Sequence, residues 1–123
     1  MRAARRCAHQ PHAAAAIDRA PHAAYASAEE AIKIANEIRG AGADIIYCSG
    51  LIPETYAALT KQHFPCVGHV GYLPVNDTWL GGPRAVGKTA VEATKLYNEV
   101  MALEEAGCIA IEMECVSAKV AAE

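Results

Sequence analysis

Long apolar runs are missing from this chain of 123 residues. None approaches the roughly 20 consecutive apolar side chains that a bilayer-crossing helix requires, so no membrane partner is expected. A basic surface is missing too. There are 11 Lys and Arg against 14 Asp and Glu, a formal net charge of −3, and the only close basic cluster is Arg2, Arg5 and Arg6. Nucleic-acid binders gather Lys and Arg on one face, so no nucleic-acid partner is expected either. Cysteine lacks a framework spacing: Cys7, Cys48, Cys66, Cys108 and Cys115 are odd in number and irregularly placed. That argues against a disulfide scaffold and fits free thiols in a reducing cytoplasm.

What is present has the composition of a folded domain. The 53% apolar and 20% charged fractions are near the soluble globular average, which argues against disorder and low complexity. The length suits one domain whose core needs no metal or disulfide staple. Residues 1–16 carry three Arg, two His and no acid before closing on four alanines, too weak a pattern for a secretory signal. They read as a loosely ordered leader to a domain over residues 17–123.

Ser27 and Glu30 are spaced as a capping box ahead of the helical stripe Ala31, Ile34, Ala35 and Ile38, which Gly40 and Gly42 stop. Residues 44–48 form a β-favouring run that exits at Ser49 and Gly50, and Pro53 suits the first turn of a helix to residue 62. A second strand over residues 66–70 leads into a long loop over 71–88. Thr89 and Glu92 form another capping box, opening a helix to residue 106 with Tyr97, Val100, Met101 and Leu103 as candidates for its buried side. Residues 108–114 read as a third strand, Ser117 starts a further helix, and residues 14–18 are a weak fourth strand. Strands alternating with helices predict parallel βα units, in which ligands gather at the carboxyl ends of the strands. Tyr47, Ser49, His69, Glu112 and Glu114 are therefore the first suspects.

Glu112 and Glu114 share one face of their strand, and two buried carboxylates raise one another's pKa, a setting for acid/base chemistry. Glu114, nearer the exit, is the stronger candidate. His69 stands between Gly68 and Gly71, where the backbone can come close to a ligand. Residues 82–89, GPRAVGKT, satisfy the phosphate-loop pattern ahead of a helix, but the residues before them are too polar for the buried strand such a loop follows. Nucleotide binding is thus a minor alternative.

At these residues the chain resembles the ketopantoate hydroxymethyltransferase family, (β/α)8-barrel enzymes of pantothenate biosynthesis in the phosphoenolpyruvate mutase and isocitrate lyase superfamily. PHAAYAS at 21–27 looks like the family's P-F-x-x-Y segment, and VGHVG at 67–71 with Pro74 like its C-G-H-x-G-x-x-P. Gly81, Gly82, Gly87 and Lys88 match its glycine loop, and ALE at 102–104 with MECV at 113–116 its A-L-E-x-A-G and L-E-C-V-P runs. The resemblance implies a 2-oxo acid, 3-methyl-2-oxobutanoate, deprotonated to an enolate that takes a one-carbon unit from methylenetetrahydrofolate, with Mg2+ polarising the ketone. It assigns proton transfer to Glu114 and substrate contact to His69. Tyr47 stands where the family has a substrate-binding Lys, and Ser49 where it has a metal-binding Glu. The family's metal-binding Asp falls on Arg19, with Asp18 one place off as the candidate metal ligand.

A closed barrel takes typically about 250 residues, so the expected architecture is α/β, parallel βα units making a partial TIM (β/α)8 barrel, about half of one. Open strand edges seek partners, which predicts a homo-oligomer. Two rival readings are a non-catalytic half-barrel interaction module and a related carbon-carbon lyase or mutase acting on another 2-oxo acid.

Overall fold

A computed structural model describes residues 13–16, 27–47 and 49–123. Four strands, β1 (Ala13–Ala16), β2 (Ala43–Tyr47), β3 (Cys66–Gly71) and β4 (Ala110–Glu114), form one sheet in the order β1-β2-β3-β4. Every pairing is parallel. Helices α1 (Ala28–Gly40), α2 (Pro53–Lys61) and α4 (Ala90–Glu105) make the crossovers, and α3 (Asp77–Leu80) and α5 (Ala118–Ala121) are single turns. Strands adjacent in sequence are adjacent in the sheet with no reversal of direction or order, the run found along a (β/α)8 barrel wall. The fold is thus the partial barrel expected from the sequence.

Strand β1 takes up the last four residues of the expected leader, 1–16. It lies inside the segment read as loosely ordered and starts one residue before the 14–18 span expected for a weak strand. An alanine run has little β-propensity of its own, and its pairing with β2 supplies what side chains do not. Residues 1–12 and Asp18 lie outside the described residues.

The other elements follow local chemistry closely. Ser27 Oγ accepts the Glu30 backbone N–H at 3.2 Å, and Thr89 Oγ1 accepts that of Glu92 at 3.2 Å. These bonds satisfy amides left open in the first helical turn. Helices α2 and α4 both end in the paired hydrogen bonds of a Schellman motif. In α4 the left-handed residue is Gly107, at φ 89°; in α2 it is His63, at φ 60°. The loop over 71–88 is partly ordered, holding a 3-10 turn at Pro74–Asn76 as well as α3.

The core lies between the sheet and the three long helices. Ile46, Cys66 and Val70 project from β2 and β3 towards Ala31 and Ala35 of α1, Tyr56 and Leu59 of α2, and Leu96 and Leu103 of α4. Burying the branched side chains among them, Ile46, Leu59, Val70, Leu96 and Leu103, stabilises the fold by about 1.5–3 kcal/mol each. The inward face of α4 differs from expectation. Leu96 and Leu103 are buried with Val100 packed beside them, whereas Tyr97 is 60% and Met101 42% exposed. Positions 96, 100 and 103 share one stripe at helical spacing, and 97 and 101 are turned about 100° away from it. At Gly68 helix and sheet meet without a spacer: a Cβ there would stand 2.8 Å from Leu103 Cδ1.

Candidate active site

The parallel register sets the strand ends level. Tyr47 pairs with Val67, His69 with Glu112, and Gly71 with Glu114. Because side chains alternate across a strand, His69 points away from the helix layer that buries Cys66, Gly68 and Val70. Glu112 and Glu114 share the face of their pairing partners. Gly71 has no side chain to stand between imidazole and carboxylate. It is held at φ 97°, and a Cβ there would fall 2.2 Å from the Glu114 carbonyl oxygen, which accepts the Tyr72 N–H at 2.8 Å.

Four side chains meet at this rim. His69 is 7% exposed. Tyr47 Oη lies 3.0 Å and Ser49 Oγ 2.9 Å from its Nδ1. On the other side of the ring, Nε2 lies 3.0 Å from Glu114 Oε2. That pair is a close contact of imidazole and carboxyl group, not an aligned hydrogen bond, and among the described residues the buried Nε2 has no aligned partner. Glu114's side chain is 40% exposed, so its carboxylate is open on the solvent side while touching the imidazole on the other. The arrangement places a proton acceptor, a ring that can donate or accept, and two hydroxyls at one strand-end mouth.

The remaining candidates separate from this group. Glu112 is level with His69 but turned to solvent. Sequence reasoning did not single out Tyr72, whose O–H donates to Asp77 Oδ1 at 2.7 Å. That bond, with partial burial and the nearby carboxylates, holds the phenol above its ordinary pKa. Its signal was available in its place directly after a strand exit. A cavity of about 900 Å3 opens between α4 and the exits of β2 and β3, lined chiefly by apolar side chains such as Leu51, Val70, Leu73 and Leu103. Of the four rim residues only His69 borders it, so the polar groups converge beside this cavity and not within it.

The phosphate-loop look-alike has a different use. It follows α3 instead of a strand, and Val86 within it makes a lone parallel bridge to Val116. The loop's donors are taken by Glu92: its Oε2 accepts the Lys88 N–H at 3.0 Å, and its Oε1 accepts from Arg84 Nη2 at 2.6 Å. Arg84 first, and the Lys88 N–H second, hold this carboxyl below its usual range.

The comparisons with known proteins agree on one family. The model described as ketopantoate hydroxymethyltransferase matches residues 1–123. Among curated proteins, a 3-methyl-2-oxobutanoate hydroxymethyltransferase of Geobacillus thermodenitrificans is 42% identical over 95 residues, covering 75% of this chain and 34% of the relative. The enzyme of that name from Ignicoccus hospitalis is 40% identical over 97 residues, covering 77% and 37%. That from Hyperthermus butylicus is 38% identical over 117 residues, covering 93% and 40%. The matched segment thus spans little more than a third of the length of these relatives. With a whole-chain match and a parallel βα sheet of the barrel type, the chain belongs to the ketopantoate hydroxymethyltransferase family.

Proposed function

We propose that this chain supplies part of the active site of a cytoplasmic hydroxymethyltransferase, which moves a one-carbon unit from methylenetetrahydrofolate to 3-methyl-2-oxobutanoate. The observation that carries this reading is the contact of 3.0 Å between His69 Nε2 and Glu114 Oε2 at the carboxyl ends of adjacent parallel strands. Glu114 takes the proton from C3 of the 2-oxo acid. As that C–H bond breaks, charge moves to the neighbouring carbonyl oxygen, and His69 Nε2, beside Glu114, supplies the hydrogen bond to it. The nucleophilic C3 then attacks the methylene carbon of the folate as one of its two C–N bonds breaks, that nitrogen keeping the electron pair and taking up a proton; cleavage of the second C–N bond with addition of water leaves a hydroxymethyl group on C3 and releases tetrahydrofolate. Partial burial of the carboxylate beside an imidazole suits general acid/base work.

The resemblance implies Mg2+, which needs a suitable set of donors at the rim. A hard cation favours several oxygen ligands, commonly with carboxylates among them. The rim offers one carboxylate, two hydroxyls and an imidazole whose Nδ1 is already engaged, and no group of three His, Cys, Asp or Glu among the described residues is placed to hold a metal. Asp18 lies outside the described residues. The described rim does not fit Mg2+, and its own residues perform proton handling and hydrogen bonding.

The test is exchange of the C3 hydrogen of 3-methyl-2-oxobutanoate with solvent, with the remaining barrel segments of a relative supplied. Glu114→Gln should lower the rate roughly 10²- to 10⁴-fold. Equal rates in the variant and the wild type would remove Glu114 from the role. A second reading, a non-catalytic half-barrel that assembles with copies of itself, draws on a different observation: Ile109 is 62%, Met113 37% and Trp79 89% exposed. Among the described residues no helix is long and apolar enough to cross a membrane.

A further inference from the structure

Three oxygens surround the imidazole of His69, and their placement restricts where its proton sits. A neutral imidazole has one N–H and one lone pair. Were the proton on Nδ1, the lone pair of the buried Nε2 would face the Glu114 carboxylate oxygen across 3.0 Å, two electron-rich atoms with nothing between them. With the proton on Nε2, that contact becomes attractive even off line. The Nδ1 lone pair is then met by a hydroxyl, from Ser49 at 2.9 Å or Tyr47 at 3.0 Å. Hydroxyls rotate and can donate or accept, so both suit this arrangement.

We infer that Tyr47 and Ser49 are positioning residues: they act through His69, holding its neutral ring as the Nε2–H tautomer so that a hydrogen-bond donor stands beside Glu114, ready for a ligand oxygen. One lone pair accepts one straight hydrogen bond, so the two hydroxyls are redundant. Losing either leaves the other to take its place; losing both leaves Nδ1 without a donor and lessens the preference for Nε2–H. The tilted packing of the Tyr47 ring on the imidazole, with centroids 5.8 Å apart, also limits rotation of the histidine. The catalytic use of this donor rests on the function proposed above; the tautomer itself does not.

Ring 15N spectra of the full chain, recorded at about pH 8.5 where imidazoles are ordinarily neutral, test the assignment directly. His69 is identified by the signal lost in His69→Gln. In the wild type Nε2 should resonate as a protonated and Nδ1 as a bare nitrogen. Tyr47→Phe or Ser49→Ala alone should leave that ratio nearly unchanged, whereas the double variant should raise the Nδ1–H population roughly three- to tenfold. Backbone amide signals of β3 and β4 report whether the variants fold. If the double variant does not fold, Tyr47→Phe combined with Ser49→Thr, which keeps one hydroxyl, must retain the wild-type ratio. A wild-type ring mainly protonated on Nδ1, or a folded double variant with the wild-type ratio, overturns the inference. Hydrogen exchange that fails while the Nε2–H tautomer holds counts against the proposed function alone.

Discussion

Single atoms decide most of what happens at the rim. Gly71 is required there for two reasons, a positive φ and a backbone oxygen lying where a Cβ would go. Gly71→Ala should therefore destabilise the chain by about 2 kcal/mol or more, measured as a lower denaturation midpoint; an unchanged midpoint would mean that the β3–β4 ends are not this close. Cys66 is decisive in another way. It is fully buried under the helices, and burial first, with Cys108 nearby second, pushes its thiol up from 9.0 to about 11. Between those values the unfolded chain loses this proton while the folded chain keeps it. The unfolded state then binds fewer protons, so stability falls as pH rises from about 9 towards 11. Urea titrations at several alkaline pH values should show a steeper fall for the wild type than for Cys66→Ala.

At the scale of elements, the helix ends offer a comparison within one molecule. Gly107 closes α4 and His63 closes α2 with the same hydrogen-bond pattern, Gly107 N–H to Glu104 at 2.9 Å and His63 N–H to Thr60 at 2.9 Å. A left-handed φ costs an L-residue about 1–2 kcal/mol and glycine almost nothing. His63→Gly should accordingly raise the thermal midpoint, with a gain of about 1 kcal/mol; a lower midpoint would show that the exposed His63 side chain carries more than its backbone strain.

Much at this scale was legible in the sequence. The hydroxyl at Ser27 and at Thr89 announces a helix start, and a run such as Cys66 to Val70 announces a strand, because each signal acts over a few neighbouring residues. Strand β1 was poorly legible, since alanines pair through backbone alone. The outward turn of Tyr97 and Met101 was hidden because hydrophobicity does not tell which stripe faces the sheet. At the site, strand-end placement made His69 and Glu114 legible as neighbours. The sharing of one ring nitrogen by Tyr47 and Ser49 was not, because it depends on the register of β2 against β3, which no local pattern encodes.

Taken together, the described residues form a sheet of four strands with an edge at β1 and another at β4. Among the described residues β1 pairs only with β2 and β4 only with β3, which leaves edge hydrogen-bonding groups at both sides. Such edges recruit other strands. Sedimentation velocity across a concentration series should show this chain associating as concentration rises; a monomer at every concentration would count against self-assembly through those edges.

The bare contact at Gly68 also ties the molecule together mechanically. Leu103 rests on the peptide just before His69, with no side chain as a cushion. The imidazole consequently inherits the seat of α4. A volume change on the inner stripe of that helix, which makes no bond to the ring, would therefore be transmitted as a displacement of the imidazole.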